Sequence, residues 1–408
     1  MSTANGITRP KLRPIDAHAI SRDGRPALLL RDPLQLAEKI AIIPQQLAPI
    51  LLLCDGTRDV SGLRAALALR FGLRVEMDTL ERIIAALDEA LLLDNERFAQ
   101  ARQQALVGYR QAPHRLPVLA GQSYPAEADE LRSMLQSFYR GADAASPPLS
   151  ACRGLISPHI DFTRGGPAYA RVWQCAAEAV RAADQVVLLG TDHYSEAGTL
   201  TLTRQHYVTP FGVLPTAQDV VDHLAQAIGE EQAFADELHH RSEHSIELAA
   251  VWLHHVRRGQ PCKLVPILCG SFGRFMHGAA GPESDPAIQA LIAALEPVLS
   301  DCPTVVVAAA DLAHSGPAFG GAPQYLPERA RLRAADDALL ERICAGDAEG
   351  FFLTIKQASD RYNVCGLPPI YTALRLLGPT TGEQVAYEHC PADEQGTSLV
   401  SICGVVFQ

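Results

Sequence analysis

The stretch Gln185-Val186-Val187-Leu188-Leu189-Gly190-Thr191-Asp192-His193 joins an apolar run to a polar turn that ends in an imidazole. An uninterrupted apolar run bounded by Gly or Asp is typical of a strand that is buried on both faces of a parallel sheet. In open α/β sheets, ligand-binding and catalytic side chains usually lie at the carboxyl ends of such strands. The stretch therefore predicts an α/β fold and the edge of the sheet at which functional side chains gather.

Three other sites in the chain, which we also expect at the ends of strands, carry metal-ligand side chains. Two of them follow apolar runs. Ser157-Pro158-His159 comes directly after residues 154–156, and Asp311-Leu312-Ala313-His314 comes directly after residues 304–310. The last is Asn363-Val364-Cys365-Gly366. A lone histidine after a strand is usually a structural residue, but imidazoles that leave neighbouring strands at one edge converge. The recurrence predicts a metal site that includes His159 and His193.

Helical patterns alternate with the apolar strands over the C-terminal two-thirds of the chain, which predicts a mainly parallel sheet with helices on both faces. We expect a loop over Thr163-Arg164-Gly165-Gly166-Pro167, with Pro167 as the first residue of the next helix. The final strand is expected over residues 398–407. The predicted helices cover residues 167–182, 216–228, 244–256, 327–344 and 368–377.

The N-terminal part has a different pattern. Amphipathic stretches at residues 45–54, 60–71 and 77–93 surround the turn Asp55-Gly56-Thr57, which predicts a small helical or winged-helix module over residues 1–100. A packing role and a partner-binding role are both open for this module. Residues 101–115 are polar and end near a proline, so we expect a linker there, followed by a second domain over residues 116–408.

The length of 408 residues favours two domains, and the hydrophobic fraction of 48% and charged fraction of 20% are those of an ordinary globular protein. No apolar window is long enough for a transmembrane helix, and the first residues lack a secretion-signal layout. The net charge of -11 disfavours nonspecific binding to nucleic acid. The ten cysteines show no CxxC pair, so we expect reduced thiols and a cytoplasmic protein.

Several polar residues near these strand ends are candidates for chemistry. His314 lies three residues after Asp311, so it is a candidate acid/base, with the carboxylate fixing its tautomer. The alternative is that Asp311 only caps a turn at the end of the strand and that neither residue takes part in chemistry. Glu243 and His244 stand in the densest polar cluster before a helix and are candidates to orient ligands or contact substrate. Cys365 is the one cysteine placed like a ligand at an element boundary.

The C-terminal domain, from about residue 116 to the end, resembles the Memo family, the protein B component of the bacterial AmmeMemoRadiSam gene set. The resemblance rests on seven ordered motifs: Ala120-Gly121-Gln122-Ser123-Tyr124-Pro125-Ala126, Ser157-Pro158-His159, Gly190-Thr191-Asp192-His193, Thr209-Pro210-Phe211-Gly212, Glu243-His244-Ser245-Ile246-Glu247, Asp311-Leu312-Ala313-His314 and Cys365-Gly366.

This resemblance implies a fold similar to the class III extradiol ring-cleaving dioxygenases. It also implies that His159, His193 and Cys365 are the metal ligands, with Asp311 and His314 beside them. Fe(II) is the expected metal, with Cu or Zn as alternatives, because a thiolate is a softer ligand than a carboxylate. The resemblance further implies a radical-SAM partner.

One motif departs from the animal members of the family. Where they have a Gly-Tyr pair after the first histidine, this chain has Ile160-Asp161-Phe162. The change adds a carboxylate and removes a phenol near the expected pocket, so Asp161 and Phe162 are candidate substrate-binding residues.

The N-terminal module resembles the small PqqD-like winged-helix modules that bind the leader segments of peptide substrates. The shared features are the helix ending in Leu53-Cys54-Asp55-Gly56-Thr57 and the apolar positions that follow it. Together, the two resemblances imply a metal-dependent oxidoreductase that acts on an aromatic or peptide-borne substrate. The alternatives are a non-catalytic metal- or peptide-binding protein and, more weakly, a metal-assisted hydrolase, for which a carboxylate-rich ligand set is expected.

Overall fold

The computed structural model describes residues 9–139, 151–195 and 200–408. The chain forms two compact units that divide between Gln111 and Ala112. This division falls inside the segment in which the sequence predicts a linker. Across the described ranges, no helix is both long and apolar enough to cross a membrane.

The N-terminal unit combines a small antiparallel sheet with helices. Its elements are β1 (Asp16–Arg22), β2 (Arg25–Arg31), β3 (Ala41–Pro44), α1 (Pro49–Leu53), α2 (Val60–Phe71), α3 (Met77–Glu89) and α4 (Glu96–Gln111). The strands pair in the order β1-β2-β3. Leu63 and Leu67 of α2 and Leu80 of α3 are fully buried in one apolar core with residues of the sheet. The three amphipathic stretches are thus helical, but the sequence patterns missed the strands.

The expected irregular linker over residues 101–115 is largely helical instead, because α4 extends to Gln111. The segment is rich in Gln, Arg and Ala, which are strong helix formers, so its polar character did not require a loop. Tyr109 is the buried residue of this helix. Pro113 then follows the helix end, as is common for a residue that cannot continue a helix.

The C-terminal unit is an α/β structure. Its strands are β4 (Gly154–Ser157), β5 (Gln185–Thr191), β6 (Leu200–Leu202), β7 (Tyr207–Thr209), β8 (Gly212–Leu214), β9 (Lys263–Cys269), β10 (Thr304–Ala309), β11 (His314–Ser315), β12 (Gly382–Pro391) and β13 (Leu399–Phe407). Its helices are α5 (Ala128–Tyr139), α6 (Phe162–Cys175), α7 (Ala177–Ala182), α8 (Gln218–Ile228), α9 (Glu230–Ala233), α10 (His239–Ser242), α11 (Ser245–Val256), α12 (Pro286–Asp301), α13 (Leu326–Cys344), α14 (Ala348–Gln357) and α15 (Leu367–Leu377).

The main sheet is mixed. Its strands lie in the order β11-β13-β4-β10-β5-β9-β6, and β12 pairs with β13. The four central strands, β4, β10, β5 and β9, are parallel. The outer strands β6, β11, β12 and β13 run antiparallel to their neighbours. The expected parallel sheet is therefore present at the centre, and the edges differ from it.

Each central strand buries both faces. Val187 and Leu189 of β5 pack into the core that contains α8, α12 and α15, whereas Val186 and Leu188 pack into the core that contains α6 and α11. All four side chains have no exposed surface. This two-sided burial explains why the strand is a continuous apolar run in the sequence.

Two local expectations were wrong. Residues 163–167 are not a loop, because α6 begins at Phe162 and contains Pro167 in its interior. The two glycines before the proline allow close packing there, since a Cβ on Gly166 would lie 2.5 Å from the ring of Phe138. Cys365 does not follow a strand either. It lies in a turn directly before α15.

Gly190 is at the carboxyl end of β5, where there is no room for a side chain. A Cβ at this position would lie 2.6 Å from Ile246 Cγ1 and 2.6 Å from Ser245 Oγ. We therefore expect Gly190→Ala to lower the free energy of unfolding by about 1–3 kcal/mol, the usual cost of overpacking a core. Gly321→Ala is the control, because its nearest atoms are at ordinary contact distances of 3.4 Å or more. Equal denaturation midpoints for the two variants would contradict this prediction.

Candidate metal centre

The register of the central strands brings the expected ligand positions to one edge. Ala309 of β10 is aligned with Ser157 of β4 on one side and with Gly190 of β5 on the other. His159 follows Ser157 by two residues, and His193 follows Gly190 by three. The two imidazoles therefore leave adjacent positions at the carboxyl edge of the sheet. Their ring centroids are 5.0 Å apart.

Cys365 joins these two histidines from outside the sheet. One ligand atom from each of His159, His193 and Cys365 lies within 4.8 Å of the other two. The Sγ atom of Cys365 is 3.3 Å from Nε2 of His159. The turn that carries the cysteine is held in place because Gly366 N–H donates to the carbonyl of Asp311 at 3.0 Å.

Hydrogen bonds fix the orientation of His159. Its Nδ1 is 2.9 Å from the carbonyl oxygen of Ala309, and a carbonyl only accepts, so Nδ1 carries the hydrogen. Its backbone N–H donates to Asp311 Oδ1 at 2.9 Å. Nε2 faces Cys365, with Asp311 Oδ2 3.7 Å away. This arrangement leaves the lone pair of Nε2 available to a metal ion.

Glu243 fixes the second imidazole in the same way. Its carboxylate is 3.0 Å from Nδ1 of His193 and also accepts the backbone N–H of His193 at 3.1 Å. The carboxylate is 1% exposed and accepts two further backbone N–H groups, from His244 and Ser245. Glu243, a candidate catalytic residue, thus occupies a position from which it orients His193.

The charges in this cluster reinforce one another. Burial opposes protonation of His159, but the negative charges of Asp311 and Cys365 outweigh it and raise its pKa to about 9. Burial also opposes ionisation of Cys365, but the positive charges of His159 and His314 hold its pKa well below the usual range of a thiol. Without a metal ion, the cluster therefore favours a thiolate beside imidazolium groups.

His314 lies next to the cluster, but not in the expected pairing. Its Nδ1 is buried and has no hydrogen-bond partner among the described residues. Burial lowers its pKa, and the charge of Cys365 more than offsets this effect, so the pKa is raised overall. The hydrogen bonds and ion pair of Asp311 in the described chain involve His159 and Gly366, not His314. The expected direct contact between Asp311 and His314 is therefore not found among the described residues, although the charge of Asp311 helps to raise the pKa of His314 after that of Cys365.

His244 adds a third imidazole to the cluster. Its ring stacks on that of His193, with centroids 4.8 Å apart and planes inclined by 16°. Its Nδ1 is 3.1 Å from Glu243, and its side chain is 38% exposed. The ligand atoms of His193, Glu243 and His244 also lie within 4.8 Å of one another. His244 is thus a partly exposed imidazole of the cluster, as is His193, whose side chain is 32% exposed.

Asp161 and Phe162, the candidate substrate-binding residues, are placed elsewhere. Asp161 is the N-cap of α6 and accepts hydrogen bonds from the backbone N–H and the guanidinium of Arg164. Phe162 has no exposed surface and packs against the rings of Tyr124 and Tyr169. They serve as a helix cap and as core packing, since the helix begins here.

A cavity of about 250 Å³ opens beside His193 and Cys365. Its remaining lining residues are Thr191, Asp192, Ser195, Ser271, Phe272, Gly273, Met276, Asp360, Asn363, Val364, Leu367 and Pro368. The sequence patterns did not assign a role to Asp192 or Asp360. Asp192 stands inside a quoted motif, but nothing in the spacing of Asp360 marks it.

Comparison with known sequences identifies the family of the chain. The sequence model of the family described as Memo-like protein matches residues 115–406. The chain belongs to the Memo family. Its match to a MEMO1 family protein of Aquifex aeolicus is 26% identical over 391 residues and covers 93% of this chain and 95% of that protein. The match to a MEMO1 family protein of Thermus thermophilus is 30% identical over 324 residues and covers 78% of this chain and 90% of that protein.

A third Memo-family relative, from Methanopyrus kandleri, is 27% identical over 309 residues and covers 72% of this chain and 99% of that protein. The share of this chain that aligns therefore differs between relatives. The Aquifex aeolicus alignment is longer than the C-terminal unit, so it extends into the N-terminal unit.

The contact between Glu243 and His193 can be tested in the metal-free protein. Burial works against the charged form of His193, but the Glu243 carboxylate raises its pKa well above the usual range. Glu243→Gln keeps the oxygen acceptor and removes the charge, so the pKa of His193 should fall by at least about one unit. NMR titration of the imidazole C–H signals measures it. Glu231→Gln, at an exposed site on α9, is the control. An unchanged titration curve would contradict the assignment.

Proposed function

We propose that this Memo-family protein holds one metal ion through His159, His193 and Cys365. The observation that supports this proposal is the hydrogen bonding of the two imidazoles. Each ring places Nδ1 against an oxygen acceptor, Ala309 or Glu243, and leaves Nε2 for the metal. Ligating histidines almost always make such a contact through their second nitrogen, because it fixes the tautomer and the ring orientation.

Fe(II) is the proposed metal, with Cu or Zn as alternatives. Two imidazoles and a thiolate are a borderline-to-soft donor set that suits these ions and does not suit Mg²⁺ or Ca²⁺. The low pKa of Cys365 favours the thiolate form that binds metal. A bound iron ion would supply redox chemistry and open coordination positions at the cavity.

The proposed activity is that of an oxidoreductase related to the extradiol dioxygenases, acting on an aromatic or peptide-borne substrate in the cavity. His314 is the proposed acid/base, because its buried Nδ1 has no partner in the described part of the chain and its ring lies near Cys365. His244 is the second candidate, since it is partly exposed beside His193. Asp311 and Glu243 position His159 and His193.

A non-catalytic metal- or peptide-binding role is the second candidate function. It is favoured by the N-terminal unit, where β1 pairs with β2 alone among the described strands and is largely exposed. An exposed strand edge can accept an extended peptide by strand addition. The radical-SAM partner is proposed for the oxidoreductase. A PqqD-like role for the N-terminal unit and a cytoplasmic location are proposed for either function.

Metal analysis of purified variants tests the ligand set. We expect His159→Ala and Cys365→Ser to lose most of the bound iron after anaerobic purification, because each removes one of three protein ligands. His223→Ala, on the exposed face of α8, should retain wild-type stoichiometry. Circular dichroism would show that each variant is folded. Full metal content in both folded ligand variants would refute the assignment.

The role of His314 requires turnover and metal content from the same preparations. If His314 transfers a proton, His314→Ala should keep its iron and lose about 10²- to 10⁴-fold in turnover, the usual contribution of a positioned acid/base. His244→Ala is the matched variant, because it removes the other candidate imidazole. Parallel loss of iron and turnover in His314→Ala would make His314 a ligand or a structural residue. Absence of turnover in iron-loaded wild type under O₂ would favour the binding role.

A further inference from the structure

Outside the metal-site residues, the charged side chains that line the cavity are acidic. Among its described lining residues there is no Lys or Arg, whereas Asp192 and Asp360 both carry carboxylates. The polar groups that accompany them are the uncharged side chains of Ser195, Ser271 and Asn363. The cavity therefore offers no fixed cation, apart from the metal-site imidazoles, to a substrate that carries a carboxylate or a phosphate.

The two carboxylates are not equivalent. Asp192 Oδ2 is 2.8 Å from Nδ1 of His239, and both residues are buried. Burial works against the charged form of His239, but the contact with Asp192 raises its pKa overall. The negative charge of Asp192 is therefore balanced by His239 within the protein. Asp192 Oδ1 also accepts the backbone N–H of Tyr194 at 3.0 Å. Asp192 thus already has its partners.

Asp360 has one partner and one unused oxygen. Its Oδ1 accepts the backbone N–H of Val364 at 2.9 Å. No hydrogen bond or ion pair of its other carboxylate oxygen is found among the described residues, although the side chain is half-buried. Burial raises the pKa of Asp360, and the charge of His314 offsets this effect only in part. A cation beside the free oxygen would therefore offset the remaining cost of burying the carboxylate.

The backbone holds Asp360 in this position. Ser359, Asp360 and Asn363 have φ angles of 53°, 45° and 50°, in the left-handed region that residues other than glycine seldom adopt. Asp and Asn tolerate this region better than most side chains. Asp360 can therefore be replaced by Asn without changing the backbone preference.

We propose that the cavity selects substrates that carry a positively charged amine and that the free oxygen of Asp360 receives it. This inference rests on the proposed function and adds to it the chemical class of the substrate. The rest of the substrate would extend towards His193 and Cys365, which line the same cavity. Asn363 and the two serines would contribute hydrogen bonds, which any neutral polar group can also use. The charge of Asp360 is what distinguishes an amine from an acid.

Matched pairs of small aromatic probes test the selectivity. Tyramine is compared with 4-hydroxyphenylacetate, and benzylamine with benzoate, because each pair differs mainly in the charge at one end. Binding to the full chain is measured by calorimetry and ligand-observed NMR, with the protein metal-free and loaded with redox-inert Zn(II). We expect the amine of each pair to bind about tenfold more tightly, the effect of one favourable, partly screened charge pair.

Asp360→Asn supplies the decisive comparison. It keeps the acceptor for Val364 N–H and removes the charge, so the preference for the amine should fall to about twofold or less. Asp219→Asn is the control, because this exposed carboxylate on α8 does not line the cavity. Its selectivity should equal that of wild type.

Equal binding within each pair, tighter binding of the acid, or no binding of either probe would overturn the inference. A preference that survives in Asp360→Asn would also overturn it. Metal content is measured on the same samples. A protein that binds metal without preferring amines contradicts only this inference, whereas a protein that prefers amines but binds no metal contradicts only the proposed metal site.

Discussion

The alignment of β10 between β4 and β5 is the constraint on which the site depends. The backbone hydrogen bonds of these parallel strands align Ala309 with Ser157 and Gly190. This register determines where His159 and His193, which follow Ser157 and Gly190 in the chain, are placed. A shift of one residue would turn His159 away from its neighbours, because successive side chains of a strand face opposite ways. The apolar side chains packed on both faces oppose such a shift.

Two buried carboxylates turn this strand edge into an ordered cluster. Asp311 and Glu243 each accept backbone N–H groups, and these bonds compensate for the loss of water around the charge. The Asp311 carboxylate also interacts with the imidazole of His159, and the Glu243 carboxylate with the imidazoles of His193 and His244. The order of the cluster therefore comes from contacts within the protein, and it would pre-organise the proposed metal ligands. Pre-organisation of this kind lowers the entropic cost of gathering separate ligands around an ion.

The sequence predicted the elements whose patterns are local. The run at residues 185–191 and the helix Ser245–Val256 were expected from apolar continuity and from turn residues. Glu243 was expected to orient ligands or contact substrate, but its contact with His193 was not predicted, because the two residues are 50 positions apart and the contact depends on how α11 packs against β5. The start of α6 was also missed. Tertiary packing stabilises Gly165, Gly166 and Pro167 in a helix that their intrinsic preferences disfavour.

The three proposed ligands belong to two different kinds of scaffold. His159 and His193 are fixed by the sheet, whereas Cys365 stands on a separate turn between α14 and α15 that meets the sheet through the Gly366–Asp311 hydrogen bond. The sheet therefore does not determine which type of side chain occupies the position of Cys365. In evolution, a fold built in this way can exchange a thiolate for another ligand by changing one turn, while its two imidazoles and its architecture are conserved.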